Sequence, residues 1–217
     1  MFITFEGPDG CGKSTQSRLM AEKLEAVGYR VVYTREPGGT DIGRKIRQIV
    51  LSNTNEGMSP VAEALLYAAD RAQHVFETIG PALKAGYIVV SDRFVDSSFA
   101  YQAVALNVGM DEVKSANDIA TGGLKPDLTI LLDVDPETGI FRVKRSKSKG
   151  SSEAQVDRIE ARDLEYHGKV RKAYLDMAAK EPGRIKVVDA KSGDVATVHS
   201  KVSDIVMGFL SSRGVTK

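Results

Sequence analysis

The chain has 217 residues, of which 42% are hydrophobic and 27% are charged, and its formal net charge is +1. This composition is typical of a folded globular protein and excludes a mainly disordered chain. The near-zero net charge provides no general attraction to nucleic acid or to an anionic membrane. Any anion binding must therefore come from local clusters of basic side chains.

Cysteine content and apolar segments indicate the compartment. Cys11 is the single cysteine of the chain, which excludes an internal disulfide framework and suits a reducing compartment. No apolar run approaches the ~20 residues of a membrane-spanning helix, and the first residues show a strand pattern rather than a signal peptide. We therefore expect a cytoplasmic protein without a membrane partner.

The first predicted strand covers residues 2–6 and leads into a glycine-rich loop. Residues 7–15 read Gly-Pro-Asp-Gly-Cys-Gly-Lys-Ser-Thr and match G-x-x-x-x-G-K-[ST]. In this pattern backbone N–H groups surround phosphates, the lysine reaches the outer phosphates and the hydroxyl contacts Mg²⁺. Apolar residues from 16 to 27 recur at helical spacing, so the loop lies at a helix N-terminus that favours anions. An ordinary glycine-rich turn is the alternative, and Lys13 with Ser14 argues against it. Cys11 is expected to fit sterically rather than to react.

Predicted strands and helices alternate along the rest of the chain. Further strands are expected at residues 30–34, 87–90, 127–134 and 184–188. Helices are expected at 41–51 capped by Asp41, at 60–84 with a break at Gly80–Pro81, from about 96, from a cap at Asp111 to Gly122, and at 136–145, 157–179 and up to about 210. The polar, basic and serine-rich residues 146–155 are expected to form a mobile loop.

This alternation predicts an α/β fold, with a parallel sheet of about five strands, right-handed crossovers and helices on both faces. Ligands of such sheets bind outside the carboxyl ends of the strands. Asp9, Arg35, Asp92 and Arg93 each follow a predicted strand. We therefore expect these four side chains at the same sheet edge as the glycine-rich loop.

The loop alone does not separate a kinase from a GTPase, an ATPase motor or a ligase. The Asn-Lys-x-Asp segment expected late in a guanine-specific GTPase is absent. A second anionic substrate would need arginines outside the loop, because a guanidinium matches two phosphate oxygens. The candidates are Arg35, Arg47, Arg71 and Arg93. Surface ion pairs are the alternative for each of them.

Motifs at six ordered places cover almost the whole chain. They are residues 2–15, Thr-Arg-Glu-Pro-Gly-Gly-Thr at 34–40, Asp-Arg at 70–71, Asp-Arg-Phe-Val-Asp-Ser-Ser at 92–98 with Ala-Tyr-Gln at 100–102, Lys-Pro-Asp at 125–127, and Asp-Arg-Ile-Glu at 157–160. Together they resemble the thymidylate kinase family of the bacterial type. The resemblance implies one nucleoside monophosphate kinase domain over residues 1–217, with a P-loop NTPase-type sheet and a lid at about 142–158.

The family resemblance implies a transferase that moves the γ-phosphoryl group of ATP to dTMP, giving dTDP and ADP for dTTP synthesis. It also implies Mg²⁺ as a cofactor and a homodimer, and nucleic acid is not an expected partner. The implied ATP-binding residues are Gly7, Pro8, Asp9, Gly10, Cys11, Gly12, Lys13, Ser14, Thr15 and Arg142. The implied dTMP-binding residues are Asp9, Arg35, Arg47, Tyr67, Arg71, Arg93, Ser98, Tyr101 and Gln102.

Each dTMP-binding residue takes an implied role from the resemblance. Tyr67 stacks on the thymine, and Arg71, Ser98 and Gln102 meet its polar edge. Tyr101 lies under the sugar and excludes a 2′-hydroxyl, and Asp9 accepts from the 3′-hydroxyl, either directly or through a water or ion. Arg35, Arg47 and Arg93 hold the phosphate. By pattern alone Tyr67 fits core packing, which is the commoner fate of a tyrosine on an amphipathic helix.

The expected mechanism is alignment and charge neutralisation, because a monophosphate oxygen is already anionic and needs no catalytic base. The catalytic candidates are Lys13, Asp9, Arg93 and Arg145, and the candidate Mg²⁺ ligands are Ser14 and Asp92. In the family a mobile arginine comes from the loop or from the lid. Gly10 occupies the loop position, so the lid is expected to supply it, first from Arg145, with Arg142 and Arg158 nearby. A solvated basic loop or a minor nucleic-acid patch is the alternative.

Three rival functions remain open at this point. One is a monophosphate kinase for another base, such as deoxycytidylate or uridylate. Another is a non-catalytic ATP-binding switch, which leaves the arginine set unexplained, and the third is a nucleic-acid-binding protein that uses the basic lid. His74, His167 and His199 show no metal-ligand spacing and are expected to be structural or exposed.

Overall fold

The computed structural model describes residues 1–148 and 156–216. Its strands are β1 Phe2–Glu6, β2 Val31–Arg35, β3 Ile88–Asp92, β4 Leu128–Asp133 and β5 Ile185–Asp189. They form one parallel sheet in the order β2-β3-β1-β4-β5. The predicted α/β fold with a five-stranded parallel sheet is confirmed. The strands lie within two residues of their predicted positions.

Helices occupy the connections between the strands. They are α1 Lys13–Ala26, α2 Asp41–Leu51, α3 Pro60–His74, α4 Gly80–Lys84, α5 Val95–Ser98, α6 Met110–Thr121, α7 Pro136–Ser148, α8 Leu164–Lys180 and α9 Val195–Ser212. A 3₁₀ turn covers Asn53–Asn55, and π-helical turns cover Val75–Ile79 and Phe99–Ala105. None of the helices in the described ranges combines the length and the apolar character that a membrane crossing requires.

The sheet has a hydrophobic core on each face. Ile3 and Phe5 of β1 pack in a cluster with residues of α1 and α9, and Phe2 packs in a second cluster on the other side. Because side chains alternate along a strand, Thr4 and Glu6 point to the same side as Phe2. Among the described residues, helices therefore cover both faces of the sheet, and the carboxyl ends of its strands remain accessible to ligands.

Two predicted helix caps are wrong by one or two residues. Thr40, not Asp41, caps α2, since its hydroxyl accepts from Gly43 N at 3.0 Å. The N-cap of α6 is Gly109 at φ 113°, so Asp111 lies in the first turn instead. Both carboxylates still lie near the positive end of a helix dipole, which explains their places in the pattern.

The predicted break at Gly80–Pro81 is also wrong. The chain stays helical from Pro60 to Lys84, and the irregularity is the π-helical turn at Val75–Ile79. Pro81 lies in the first turn of α4, where an α-helix has no partner for a backbone N–H. The proline therefore begins a new helical segment without interrupting the helical path.

The segment around the predicted lid differs from expectation at both ends. Residues 146–148 belong to α7 rather than to a loop, and residues 149–155 of that predicted loop lie outside the described residues. The helix expected from residue 157 begins only at Leu164, with Asp163 as its N-cap. Residues 157–163 form turns, because the Asp157 side chain accepts from the backbone N–H groups of Ile159 and Glu160, each at 2.9 Å.

Candidate active site

A cavity of about 650 Å³ opens at the carboxyl ends of β1, β2 and β3. It is the edge at which a sheet of this kind binds ligands. All nine predicted dTMP-binding residues line it: Asp9, Arg35, Arg47, Tyr67, Arg71, Arg93, Ser98, Tyr101 and Gln102. Among the predicted ATP and metal residues, the lining also contains Gly10, Gly12, Lys13, Ser14, Thr15, Asp92 and Arg142. The remaining predicted residues, Gly7, Pro8, Cys11 and Arg145, do not line it.

The glycine-rich loop connects β1 to α1 and closes on its own lysine. Lys13 Nζ donates to the carbonyl oxygens of Gly7 at 2.9 Å and Pro8 at 2.8 Å. Gly12, the residue before α1, has φ 95°, a left-handed conformation that glycine adopts without strain. Cys11 is buried, and burial raises the pKa of its thiol. A raised thiol pKa suits the expected steric role of this cysteine.

Oxygen atoms of Ser14 and Asp92 lie together at the end of the glycine-rich loop. Ser14 Oγ donates to Asp92 Oδ2 at 2.5 Å, and Asp92 Oδ1 is buried without a hydrogen-bond partner among the described residues. No group of three or more His, Cys, Asp or Glu side chains in the described ranges could hold a metal ion. Mg²⁺ usually takes one or two protein oxygens and completes its shell with phosphates and water. The pair therefore fits a Mg²⁺ ion shared with bound phosphates.

Arg93 follows β3 in a left-handed conformation at φ 75°. Such a conformation costs a non-glycine residue about 1–3 kcal/mol and persists only where neighbours enforce it. Here Arg93 N donates to Phe5 O at 2.9 Å, Ser91 Oγ donates to Arg93 O at 2.8 Å, and Phe94 N donates to Glu6 Oε1 at 2.7 Å. The buried end of β1 thus holds the turn that carries Arg93.

The Arg93 side chain joins Asp9 and Tyr101 in one network. Its Nη2 donates to Asp9 Oδ1 at 2.5 Å, and the Tyr101 hydroxyl donates to Asp9 Oδ2 at 2.9 Å. Burial alone would raise the pKa of Asp9, but the positive charges of Arg93 and Lys13 outweigh burial and lower that pKa. Asp9 is therefore an ionised hydrogen-bond acceptor that lines the cavity.

Arg35 and Arg47 complete the basic lining beside Arg93. Arg35 ends β2 and is exposed, while Arg47 lies on α2 and its Nη1 donates to Pro37 O at 3.4 Å. All three guanidinium groups reach the same cavity from different elements. They can surround one small anion with bidentate donors.

Tyr67 and the residues near it form a slot next to these arginines. Tyr67 and Arg71 are one turn apart on α3, and Ser98, Tyr101 and Gln102 lie on α5 and the π-helical turn after it. Tyr67 is partly exposed and lines the cavity, which differs from the core packing that its pattern alone predicts.

Arg71 is more deeply buried than its sequence position suggests, at 1% exposure. Nε and Nη2 both lie 2.8 Å from Glu36 Oε2, Nη2 donates to Phe94 O at 3.0 Å, and Nη1 donates to Ser98 Oγ at 2.8 Å and to Asn117 Oδ1. Protein acceptors therefore surround the guanidinium. Because Ser98 accepts from Arg71, its own hydroxyl proton is available for the cavity.

The three arginines around the predicted lid have different positions. Arg142 on α7 lines the cavity and donates to Ala190 O at 2.8 Å. Arg145, three residues further, is exposed and lies off the helix face that lines the cavity. Arg158 is buried, where it donates to Val50 O and Glu63 Oε2, each at 2.8 Å.

Several buried side chains next to the site were not predicted. Glu6, Glu36 and Glu63 are at most 4% exposed. Glu6 accepts from the backbone N–H of Phe94, the residue after Arg93, while Glu36 accepts from Arg71 and Glu63 accepts from Gln102. The sequence features that could have indicated them are weak, since Glu6 is a carboxylate at the end of an apolar strand and Glu63 lies one helical turn before Tyr67.

The histidines divide between structural positions and one position near the site. His74 is buried and bonds to Thr34 and Glu36, and His199 is partly buried and bonds to Gln16. His167 is buried with its Nδ1 4.0 Å from Asp9 Oδ2, and its Nε2 has no partner among the described residues. Its position near Asp9 was not anticipated.

Comparison with known proteins identifies the family. The family model described as thymidylate kinase matches residues 5–202. A thymidylate kinase of Trichlorobacter lovleyi is 46% identical over 211 residues, which cover 97% of this chain and 99% of that protein. A thymidylate kinase of Exiguobacterium sp. is 44% identical over 217 residues, which cover 100% of this chain and 99% of that protein. The crystal structure of thymidylate kinase from Ehrlichia chaffeensis matches with a TM-score of 0.78 at 33% identity, covering 95% of this chain and 98% of that chain. The chain therefore belongs to the thymidylate kinase family.

Proposed function

We propose that this chain transfers the γ-phosphoryl group of ATP to dTMP, giving dTDP and ADP for dTTP synthesis, as one nucleoside monophosphate kinase domain with a lid at about residues 142–158. The observation that carries the proposal is one cavity that is lined both by the glycine-rich loop and by three arginines from other elements. The glycine-rich loop lies at one end, and Arg35, Arg47 and Arg93 lie with the Tyr67 slot at the other. A nucleotide-dependent switch without an acceptor would have no use for the second end.

The donor end would bind ATP mainly through backbone groups and Lys13. Its loop N–H groups at the start of α1 favour the phosphates, and Lys13 exchanges its contacts with Gly7 O and Pro8 O for phosphate oxygens. Ser14 and Asp92 would hold Mg²⁺, which neutralises phosphate charge when it is bound.

The acceptor end would hold dTMP through side chains from separate elements. Arg35, Arg47 and Arg93 bind its phosphate, and Tyr67 stacks on its base. Tyr101 would lie under the sugar and exclude a ribose 2′-hydroxyl, and the ionised Asp9 would accept from the 3′-hydroxyl. Because the phosphate oxygen is already anionic, these residues only align it with the γ-phosphoryl group and neutralise charge.

The lid would supply the mobile arginine from α7. Gly10 has φ 76°, and a Cβ built there would collide with the carbonyl oxygen of Gly139 on α7. An arginine at this loop position is therefore unfavourable, which supports a donor in the lid. Arg145 and Arg142 are the candidates, and Arg142 already lines the cavity. Of the two variants Arg142→Ala and Arg145→Ala, we expect the one that removes the mobile arginine to lower kcat more than the other.

A homodimer is proposed from the outer faces of α2, α3 and α6. Apolar side chains there are unusually exposed: Ile42 48%, Ile49 44%, Val61 55%, Leu65 56% and Ile119 87%, with Phe76 at 79% after α3. A second copy of the chain could cover this face, and sedimentation velocity would measure the dimer.

The near-zero net charge argues against a nucleic-acid partner, and the single buried cysteine supports a cytoplasmic location.

The test is a parallel assay with ATP and Mg²⁺, in which dTMP, dUMP, dCMP, UMP and AMP are each offered as the acceptor. We expect dTMP to give the highest kcat/KM. Equal rates with dCMP or UMP would contradict the base assignment. ATP hydrolysis that is slow and independent of any acceptor would instead indicate a nucleotide-dependent switch.

A further inference from the structure

The carboxamide of Gln102 has one defined orientation at the wall of the slot. Gln102 lines the cavity, and its Nε2 donates to Glu63 Oε1 on α3 at 2.9 Å. A carboxylate only accepts hydrogen bonds, so the amide nitrogen must face Glu63. No described residue donates to Gln102 Oε1. This oxygen is the polar atom that the side chain can offer to a ligand.

Glu63 is itself held by two positive charges. Arg158 Nη2 and Arg162 Nη2 each donate to Glu63 Oε2 at 2.8 Å, and the Glu63 side chain is 1% exposed. A buried carboxylate is tolerated when it is paired and hydrogen-bonded in this way. Because the two arginines take one carboxylate oxygen, the other oxygen remains for Gln102.

We propose that Glu63 is a positioning residue for base specificity, because it turns Gln102 so that the slot offers an acceptor at Gln102 Oε1 beside a donor at Ser98 Oγ. The inference rests on the proposed function. A pyrimidine with a 4-carbonyl and an N3–H matches this pair of groups. A 4-aminopyrimidine carries an acceptor at N3, which opposes Gln102 Oε1. Its amino group at C4 also removes the acceptor for the Ser98 hydroxyl proton. A site that pairs with substrate polar groups can reject a mismatched analogue by a factor of about 10⁴–10⁵.

Replacing Glu63 by glutamine should exchange the acceptor that Gln102 presents to the cavity for a donor, while the volume of side chain 63 stays nearly constant. Arg158 and Arg162 require an oxygen, so the new carboxamide places its oxygen toward them and its NH₂ group toward Gln102. Gln102 then has to turn its Oε1 toward residue 63 and its NH₂ group toward the cavity. The slot would present a donor where the native protein presents an acceptor.

The experiment measures kcat/KM for dTMP and for 5-methyl-dCMP, which share ring shape and the 5-methyl group. In Glu63→Gln we expect the ratio of dTMP to 5-methyl-dCMP to fall at least about 10-fold, with the KM for ATP unchanged. Glu77→Gln is the matched control, because exposed Glu77 accepts from Gln73 Nε2 at 2.8 Å away from the cavity. Its ratio should equal that of the native chain.

Two further variants separate positioning from folding. Glu63→Asp keeps the negative charge that Arg158 and Arg162 require, but its shorter side chain reaches Gln102 less well. The ratio of dTMP to 5-methyl-dCMP should therefore fall in this variant too. It replaces Glu63→Gln in the experiment if Glu63→Gln does not fold. In a Gln102→Leu background, Glu63→Gln should change the ratio no further, since it acts through Gln102. If both substrates lose activity equally and the ratio stays constant, the inference is wrong. A native chain inactive on dTMP would overturn the proposed function itself.

Discussion

The donor and acceptor ends of the cavity are built in different ways. At the donor end, Lys13 bonds to carbonyl oxygens only six and five residues earlier, and the loop begins its own helix. At the acceptor end, Arg93 reaches Asp9 across 84 positions of the chain, and Gln102 reaches Glu63 across 39. One end is thus a local motif and the other depends on the packing of several elements. Mutations should therefore act on chemistry alone at the donor end, and on chemistry together with stability at those acceptor-end residues that belong to a buried network.

Lys13→Ala tests the donor end and has the largest expected effect. Loss of one transition-state donor costs roughly 10²–10³ in kcat, while the KM for dTMP should change little. An ADP-release assay at saturating dTMP measures it, with exposed Lys172→Ala as the control. Transfer that survives nearly intact would show that Lys13 has no part in catalysis.

Arg93→Ala tests whether the acceptor end couples binding to stability. We expect kcat/KM for dTMP to fall about 100-fold, because a charged phosphate contact is lost. The free energy of unfolding should also fall by about 1–3 kcal/mol, since Asp9 loses a partner in a buried network. Urea denaturation and initial rates measure the two effects. A variant with lower activity but native stability would contradict the coupling.

Arg35→Ala sharpens the same comparison with a smaller effect. Arg35 is exposed at the end of β2, so its removal should raise the KM for dTMP about 10-fold without lowering the free energy of unfolding. Exposed Arg213→Ala is the control for a general loss of positive charge. An unchanged KM for dTMP would exclude Arg35 from the phosphate site.

Glu6→Gln tests how the buried carboxyl group that holds the Arg93 turn affects the pH dependence of stability. Burial, with a contribution from Asp96, raises the pKa of Glu6 from 4.5 to about 7, although Ser97, Arg93 and Phe94 N oppose the rise. Between these two values the native state binds more protons than the unfolded state, so the Glu6 contribution to stability declines as pH rises. Glutamine mimics the protonated form and should remove this decline.

Urea denaturation at pH 5 and pH 8 measures the effect of Glu6→Gln. Between pH 5 and pH 8, the free energy of unfolding of the variant should rise relative to that of the native chain. The expected rise is about 1.4 kcal/mol for each unit by which the pKa of Glu6 differs between the folded and unfolded states. Glu77→Gln, an exposed carboxylate on the π-helical turn, should show no such change. A stability difference that is the same at both pH values would contradict the raised pKa of Glu6.

Local patterns predicted the elements well and their ends less well. The alternation of strands and helices was enough for the parallel sheet, because each pattern reflects burial of one face or two. The caps at Thr40 and Gly109 were missed because an acidic residue lies close by, and the pattern cannot tell a cap from a first-turn carboxylate. The π-helical turn at Val75–Ile79 was missed because the helical spacing continues through it.

With the family resemblance, the sequence also supplied the acceptor-end residues that line the cavity. By itself, it determined the fold class and the glycine-rich loop. These depend on periodicity and on motifs within a few residues of one another. Only the tertiary structure decided which atoms the predicted site residues present to the cavity. Arg71 is surrounded by protein acceptors, Arg145 lies off the cavity face of α7, and Gln102 is turned by Glu63. The reason is that a helical spacing specifies a face, while the hydrogen-bond partner on the opposite element comes from distant parts of the chain.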